Sequence, residues 1–395
     1  MTHRPPVIVS SESPFATDVF VTRHPALVER LLTAWSFGPE QEHRLRELAE
    51  ESAHGVIRPL PTGAHGAELW DGWGREYFGR PWTEAPFLWA ESFFYRRLLD
   101  AAGYFDAGAW RQVDVFAPFK EAELAGESVS ATLSALDGLA DLDEDARGRA
   151  LLLASLWGNR ADLGFQLTAG RPQEASGLVA DESERLWEVL RGSPGGTVAV
   201  VADNAGAELV ADLVLIDHLL ATGLAGDVVL HVKPAPYYVS DATSADVRLC
   251  RYRLRTAGPA ARAVEARLRE ASTAGRLRVG TDAFFCAPFD YTALPERLRT
   301  PFAAASVTVM KGDLNYRRLV GDRWWEPTVP FAEATDYFPG PVAALRTLKS
   351  DVVVGLAPEV PDRLDASVPG WRTAGTHGLL QLAGAPWSRS RHRLL

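Results

Sequence analysis

Cysteine is scarce in this 395-residue sequence. Cys250 and Cys286 are its only two, too few for a disulfide framework and too far apart for a CxxC redox or zinc pair, so a reducing cytoplasm is the expected compartment. Long apolar runs are missing as well. No stretch reaches the about 18 consecutive apolar residues of a membrane span, and the N-terminal MTHRPPVIVSSESPF lacks the apolar segment of a signal peptide. Positive charge is in deficit: 41 Lys and Arg against 51 Asp and Glu leave a formal charge of −10, which repels nucleic acid and anionic lipid. The one Arg-rich stretch, Ser388 to Arg393, is short and reads as a frayed end. The nine histidines are scattered without metal-ligand spacing, and no GxSxG, Walker A or HExxH pattern occurs.

What remains is the composition of a folded protein, 47% hydrophobic and 23% charged, long enough for two domains. Residues 14 to about 190 read as mostly helical. ESFFYRRLLDAAGYF sets Phe94 and Leu98 on one helical stripe, ARGRALLLASLWGNRADLGF repeats the pattern, and the acidic Asp137 to Asp145 holds a connection. The character changes at Arg191-Gly192-Ser193-Pro194-Gly195-Gly196. TVAVVAD follows as a strand covered on both faces, then AELVADLVLIDHLLATG as a helix stopped by Gly223. DVVLHVKP (227–234), RLRVG (276–280), SVTVMKG (306–312) and DVVVGL (351–356) are also strand-like. Alternating strand and helix predicts a mostly parallel, Rossmann-like α/β sheet with right-handed connections. The expected division is a helical domain over 1–190 and an α/β domain over 191–395.

In such sheets ligands sit beyond the carboxyl ends of the strands. That rule selects Asp203-Asn204, the stretch Tyr237 to Asp241, the stretch Lys311 to Arg317, and Arg346-Thr347-Leu348-Lys349. Asp203 and Asp241, with the amide oxygen of Asn204, would balance a divalent cation and leave positions for water and a substrate oxygen. Lys349 and Arg317 would spread the charge of a phosphoryl group, Arg through paired hydrogen bonds and Lys as a point charge. Each stretch also has a plainer meaning. Asp-Asn is a good N-cap, Ser240-Asp241 could open a helix, KGDLNYRRL could be a turn with an exposed basic helix start, and RTLK a solvated strand entry. Only their convergence at one sheet edge favours a metal-and-phosphate site.

DNAGAELVADLVLIDHLL, PYYVSD, KGDLNYRRLVGDRWWEP and RTLKSDVVVGL, together with ESFFYRRL and SLWGNRADL, resemble the DUF89 or ARMT1-like family, in the subfamily marked by an RTxK motif. The resemblance runs from about Phe87 to the WRTAGTHGLLQLAG segment. It implies a helical N-terminal region packed on a three-layer α/β/α domain. It also implies a metal-dependent phosphatase of metabolite damage control, acting on small phosphometabolites such as fructose 1-phosphate or fructose 6-phosphate. The cation, manganese, cobalt, nickel or magnesium, would lie at Asp203, Asn204 and Asp241. Substrate contacts would fall on Asp313, Leu314, Asn315, Tyr316 and Arg317 and on Lys349, the last residue of RTxK. Glu91, Asn159 and Asp162 recur in relatives, where they cap the cleft or fix the domain interface, the latter being the expectation for Asp162.

Asp203, Asp313 and Lys349 are the expected catalytic groups. The attacking group stays open between water and Asp203, and Asp313 could relay a proton or bind sugar hydroxyls. Lys311, in the KGD stretch, is a further candidate. Two other readings remain. In an S-adenosylmethionine-dependent protein-glutamate O-methyltransferase, an annotation some relatives carry, Glu208 would contact the cofactor. Yet the loop after the first α/β strand has only Gly206 rather than a glycine-rich turn. In a catalytically silent sugar-phosphate binder the same pocket would bind without turnover.

Overall fold

The computed structural model describes residues 4–158 and 177–384; Asn159, Asp162 and the Arg-rich stretch Ser388 to Arg393 lie outside them. Seven strands form one sheet: β1 (Leu178–Asp181), β2 (Thr197–Val201), β3 (Asp227–Val232), β4 (Leu277–Thr281), β5 (Val307–Lys311), β6 (Val342–Thr347) and β7 (Gly378–Ala383), in the order β1-β7-β6-β5-β2-β3-β4. The five strands from β6 to β4 are parallel. β7 runs antiparallel to β6, and β1 pairs parallel with β7. The sheet therefore takes one edge strand, β1, from the N-terminal side of residue 190.

The run TVAVV makes a central strand because both its faces are covered. Val198 and Val200 enter one apolar cluster with the helices Glu144–Trp157 and Ala207–Ala221, while Ala199 and Val201 enter the other. That second cluster continues without a break into the N-terminal helices, through Phe20, Leu27, Phe87 and Phe94. Helix Phe87–Ala101 is buried on nearly every side rather than along one stripe. Sheet and helices thus form three layers, the N-terminal helices covering one face.

One expected strand is a loop. DVVVGL is buried at Val352, Val353 and Val354, but its amides bond to turn residues and a side chain: Val354 N–H to Tyr316 Oη, Gly355 N–H to Val329 O and Leu356 N–H to Pro327 O. The strand is the preceding VAALRT, which finds β5 and β7 as ladder partners, so RTLK marks a strand's end.

Two features position the site. The strand order reverses between β2 and β5, opening a crevice at their carboxyl ends. At the other side, the helical segment Pro14–Ala34 contains a π-helical turn, Val19–Arg23, where His24 N–H reaches back to Val19 O. Pro25 accounts for it: proline has no N–H to give Val21 O, and its ring would crowd that carbonyl in a regular helix.

Candidate functional site

Beyond β2 the backbone pairs with the segment beyond β3. Ala242 N–H donates to Asp203 O at 2.8 Å, Ala205 N–H to Ser240 O at 2.7 Å, and Asn204 bridges Asp241. This main-chain pairing sets Asp203, Asn204 and Asp241 side by side. It is reached through Tyr238 and Val239, both at positive φ (45° and 65°), a conformation that costs an L-residue free energy and is concentrated at functional sites.

None of the three serves as a helix cap. Helix Ala207–Ala221 starts from Gly206, and its Ala207 N–H is met at 3.2 Å by Glu123 Oε1. Helix Ser244–Thr256 is closed by a capping box of Thr243 and Asp246. Two polar pairs that could have been spent on capping are left to face a cavity.

That cavity, about 480 Å³, is where the candidates meet: Asp203, Asn204, Asp241, Asp313, Leu314 and Lys349 all line it, as do Glu91 and Arg317. The first wall is acidic. Burial pushes Asp203 well above the usual carboxylate range, and the neighbouring Glu208 and Asp241 push it further. Asp241 is also raised by burial, opposed by the Lys233 ammonium 3.3 Å from its Oδ2 and by Lys120. Lys120 donates to the Asp241 carbonyl at 2.9 Å. Asp241 Oδ2 accepts no aligned hydrogen bond.

The second wall follows β5 and β6. Gly312, at φ 81°, stands where a Cβ would lie 1.9 Å from Asp203 Oδ2, so only glycine lets the two walls meet. Asp313 accepts from Arg346 Nε at 2.7 Å and from Lys349 N–H at 2.9 Å. Burial would raise Asp313, but Arg346, Arg317 and the Lys349 amide together hold it below the usual range, so it is an ionised acceptor. In RTLK, then, Arg346 is a fully buried strut and Lys349 exposes its ammonium to the cavity.

Several expectations change. Arg317, expected on phosphoryl oxygens, is locked between Glu91 (2.7 Å) and a two-pronged pair with Asp322 (2.9 Å each), over the ring of Phe87. Its charge is met by carboxylates and it acts as a wall strut. Glu91 is raised by burial, partly offset by Arg317. The Asn315 and Tyr316 side chains, expected on substrate, turn inward because polar partners wait there. Asn315 donates to the carbonyls of Ala202 and Lys311, and Tyr316 pairs with Gln381. Neither lines the cavity. Lys311 is likewise behind the wall, on Glu208 and Asp212 at 2.9 Å each and on the Ser155 carbonyl. Glu208 is shared between Lys311 and Asn204 and does not line the cavity. Residues that sequence reading passed over are Arg23, His24, Arg30 and Tyr95 on the N-terminal helices, and the supports Lys120 and Lys233. No motif joins them to the strand ends; only the fold does.

A hard divalent cation fits this wall. Among the described residues no three His, Cys, Asp or Glu side chains gather as a ligand set, so the donors would be the two carboxylates and one amide, a set that leaves room for water and a phosphate oxygen. Asp241 Oδ2, met by the Lys233 ammonium but by no aligned hydrogen bond, and the raised, crowded Asp203 are groups that such a charge would satisfy. Asn204 turns its NH2 to Asp203 Oδ2 (2.8 Å) and Glu208 (3.0 Å) and its oxygen to Ser240; a half-turn of the amide exchanges the two.

The model of the damage-control phosphatase ARMT1-like domain matches residues 19–364. Damage-control phosphatase ARMT1 of Mus musculus is 32% identical over 336 residues, covering 78% of this chain and 76% of that protein. The Homo sapiens protein of the same name is 34% identical over 334 residues, covering 77% and 75%. A crystal structure of a DUF89 family protein from Pyrococcus horikoshii aligns with a TM-score of 0.47 at 14% identity, covering 89% of this chain and 94% of that one.

Proposed function

The chain belongs to the ARMT1-like family of damage-control phosphatases, and from that premise we propose that it hydrolyses small phosphomonoesters, sugar phosphates such as fructose 1-phosphate or fructose 6-phosphate among them, with a divalent cation (manganese, cobalt, nickel or magnesium). The observation that carries this reading is the shared cavity: two buried aspartates whose pKa values burial raises and an amide on one wall, an ionised aspartate and an exposed ammonium on the other.

Asp203, Asn204 and Asp241 would hold the cation, which would supply Lewis acidity toward the phosphoryl group. Lys349 neutralises a second phosphoryl oxygen as negative charge builds there. Asp313 is held ionised by Arg346 and accepts a hydroxyl of the sugar, or takes a proton from it; being pulled below the usual carboxylate range, it does not serve as an acid near neutral pH. Helix Gly312–Val320 begins at this wall with no side-chain cap, and the start of a helix suits an anion. Two unpaired, buried or half-buried cysteines fit work in the cytoplasm.

The test is phosphate release from p-nitrophenyl phosphate and fructose 1-phosphate. Release should require added manganese or cobalt and stop with chelator, and Asp203→Ala or Asp241→Ala should abolish it while circular dichroism shows the fold retained. Unchanged turnover in either variant, or binding of sugar phosphate with no release, would overturn the proposal.

A further inference from the structure

More than a third of the cavity lining comes from a segment that no strand-end motif includes. Val19, Arg23, Ala26, Leu27 and Arg30 all line it, and their spacing is that of one helical face. The π-helical turn at Val19–Arg23 lies in this face, and such turns gather at functional positions. The segment is polar where it is charged and apolar between: Val19 and Leu27 are buried, Arg23 and Arg30 exposed.

The two arginines differ. Arg23 is paired with Asp18 at 2.8 Å. Arg30 has no carboxylate within 4.0 Å among the described residues, and its guanidinium is stacked 4.6 Å from the centre of the Phe119 ring. A cation–π contact leaves the guanidinium's edge donors open. Of the other cavity cations, Arg317 is spent on Glu91 and Asp322, and Lys349 faces the strand ends. A single phosphoryl group therefore leaves one cation of the cavity unanswered. The space, about 480 Å³, is that of a site for a whole small molecule rather than for a phosphoryl group alone.

We infer that Arg30 selects substrates bearing a second anionic group, a phosphate or carboxylate at the far end from the ester that is cut. This rests on the phosphomonoester reading above and narrows its substrate class to doubly anionic small molecules. Arg23, already paired, contributes less.

Binding of phosphonates, whose C–P bond is not hydrolysed, tests this without turnover. Calorimetry on the manganese-loaded protein would compare propylphosphonate, 4-phosphonobutyrate and propane-1,3-bisphosphonate. The second anionic group should tighten binding about tenfold, Arg30→Gln should remove that gain, and Arg30→Lys should keep part of it. If the carboxylate and bisphosphonate arms differ, the tighter one names the group. Equal affinities for all three in the wild type, or the same gain in Arg30→Gln, would overturn the inference. Failure of the phosphatase reading shows separately, as absent manganese-dependent phosphate release, and leaves the affinity ratio to stand or fall alone.

Discussion

Asp203 and Asp313 face one cavity and are both largely buried, yet their carboxyl groups are driven in opposite directions. Asp203 has burial, Glu208 and Asp241 against its charge, which Lys349 and Lys311 offset only in part. Asp313 has Arg346, Arg317 and an amide in its favour. The difference is one of completeness. The β5–β6 wall is electrostatically closed by its own residues, whereas on the β2–β3 wall Lys233 answers Asp241 and Lys311 answers Glu208 but Asp203 has no ion pair among the described residues, an arrangement that costs stability and is characteristic of a site that binds a cation.

The largest effect that would break the contrast is on the closed wall. Asp313→Asn leaves the guanidinium of Arg346, wholly buried, without its carboxylate, and should cost about 3 kcal/mol in urea unfolding. A loss near zero would mean that Ser350 and the Val352 carbonyl already satisfy Arg346 and that Asp313 is not bound to it energetically. Next is the contact between the walls. In Gly312→Ala the new Cβ meets Asp203 Oδ2 at 1.9 Å and the residue must hold φ 81°, together costing about 2 kcal/mol. Metal-dependent turnover should fall at least about 100-fold, because displacement of the carboxylate by even about 1 Å is felt in catalysis. Wild-type activity in this variant would show that the walls move apart freely.

How far the sequence alone discloses these walls depends on where each side chain finds its partner. Asp203, Asp241 and Lys349 were readable because a strand-end position says where a residue points, and the sheet order then brings the ends together. The competing reading, helix capping, could not be dismissed from sequence because the true caps are partly remote: Glu123 closes the helix after Gly206 from another region of the chain. Arg317 shows the converse. A cation two turns into KGDLNYR looks available until Glu91, 226 residues earlier, is found beside it. DVVVGL reads as a strand since an apolar, β-branched run states only that it is buried, and whether its amides meet a ladder or a tyrosine hydroxyl is decided by the rest of the fold. Arg30 and Lys233 had no local signal at all.

The smallest effect is the most discriminating. Asp203→Asn removes a charge that the fold resists, so in metal-free protein it should stabilise, by about 1 kcal/mol, where Asp313→Asn destabilises. The two should also respond differently to pH. Asp203 has a folded pKa raised above its ordinary 3.8, so the stability it contributes is complete below 3.8 and is lost as pH rises through the folded value. The gain from Asp203→Asn is therefore greatest at pH 8 and shrinks on acidification, as the wild-type carboxyl takes up its proton. Asp313 is lowered, so its contribution is complete above 3.8 and lost only as pH falls through its still lower folded value. The deficit of Asp313→Asn should stay level from pH 8 to pH 5. Thermal unfolding of the three proteins in chelator over that range reads both slopes, and parallel curves would mean that the two walls are electrostatically alike.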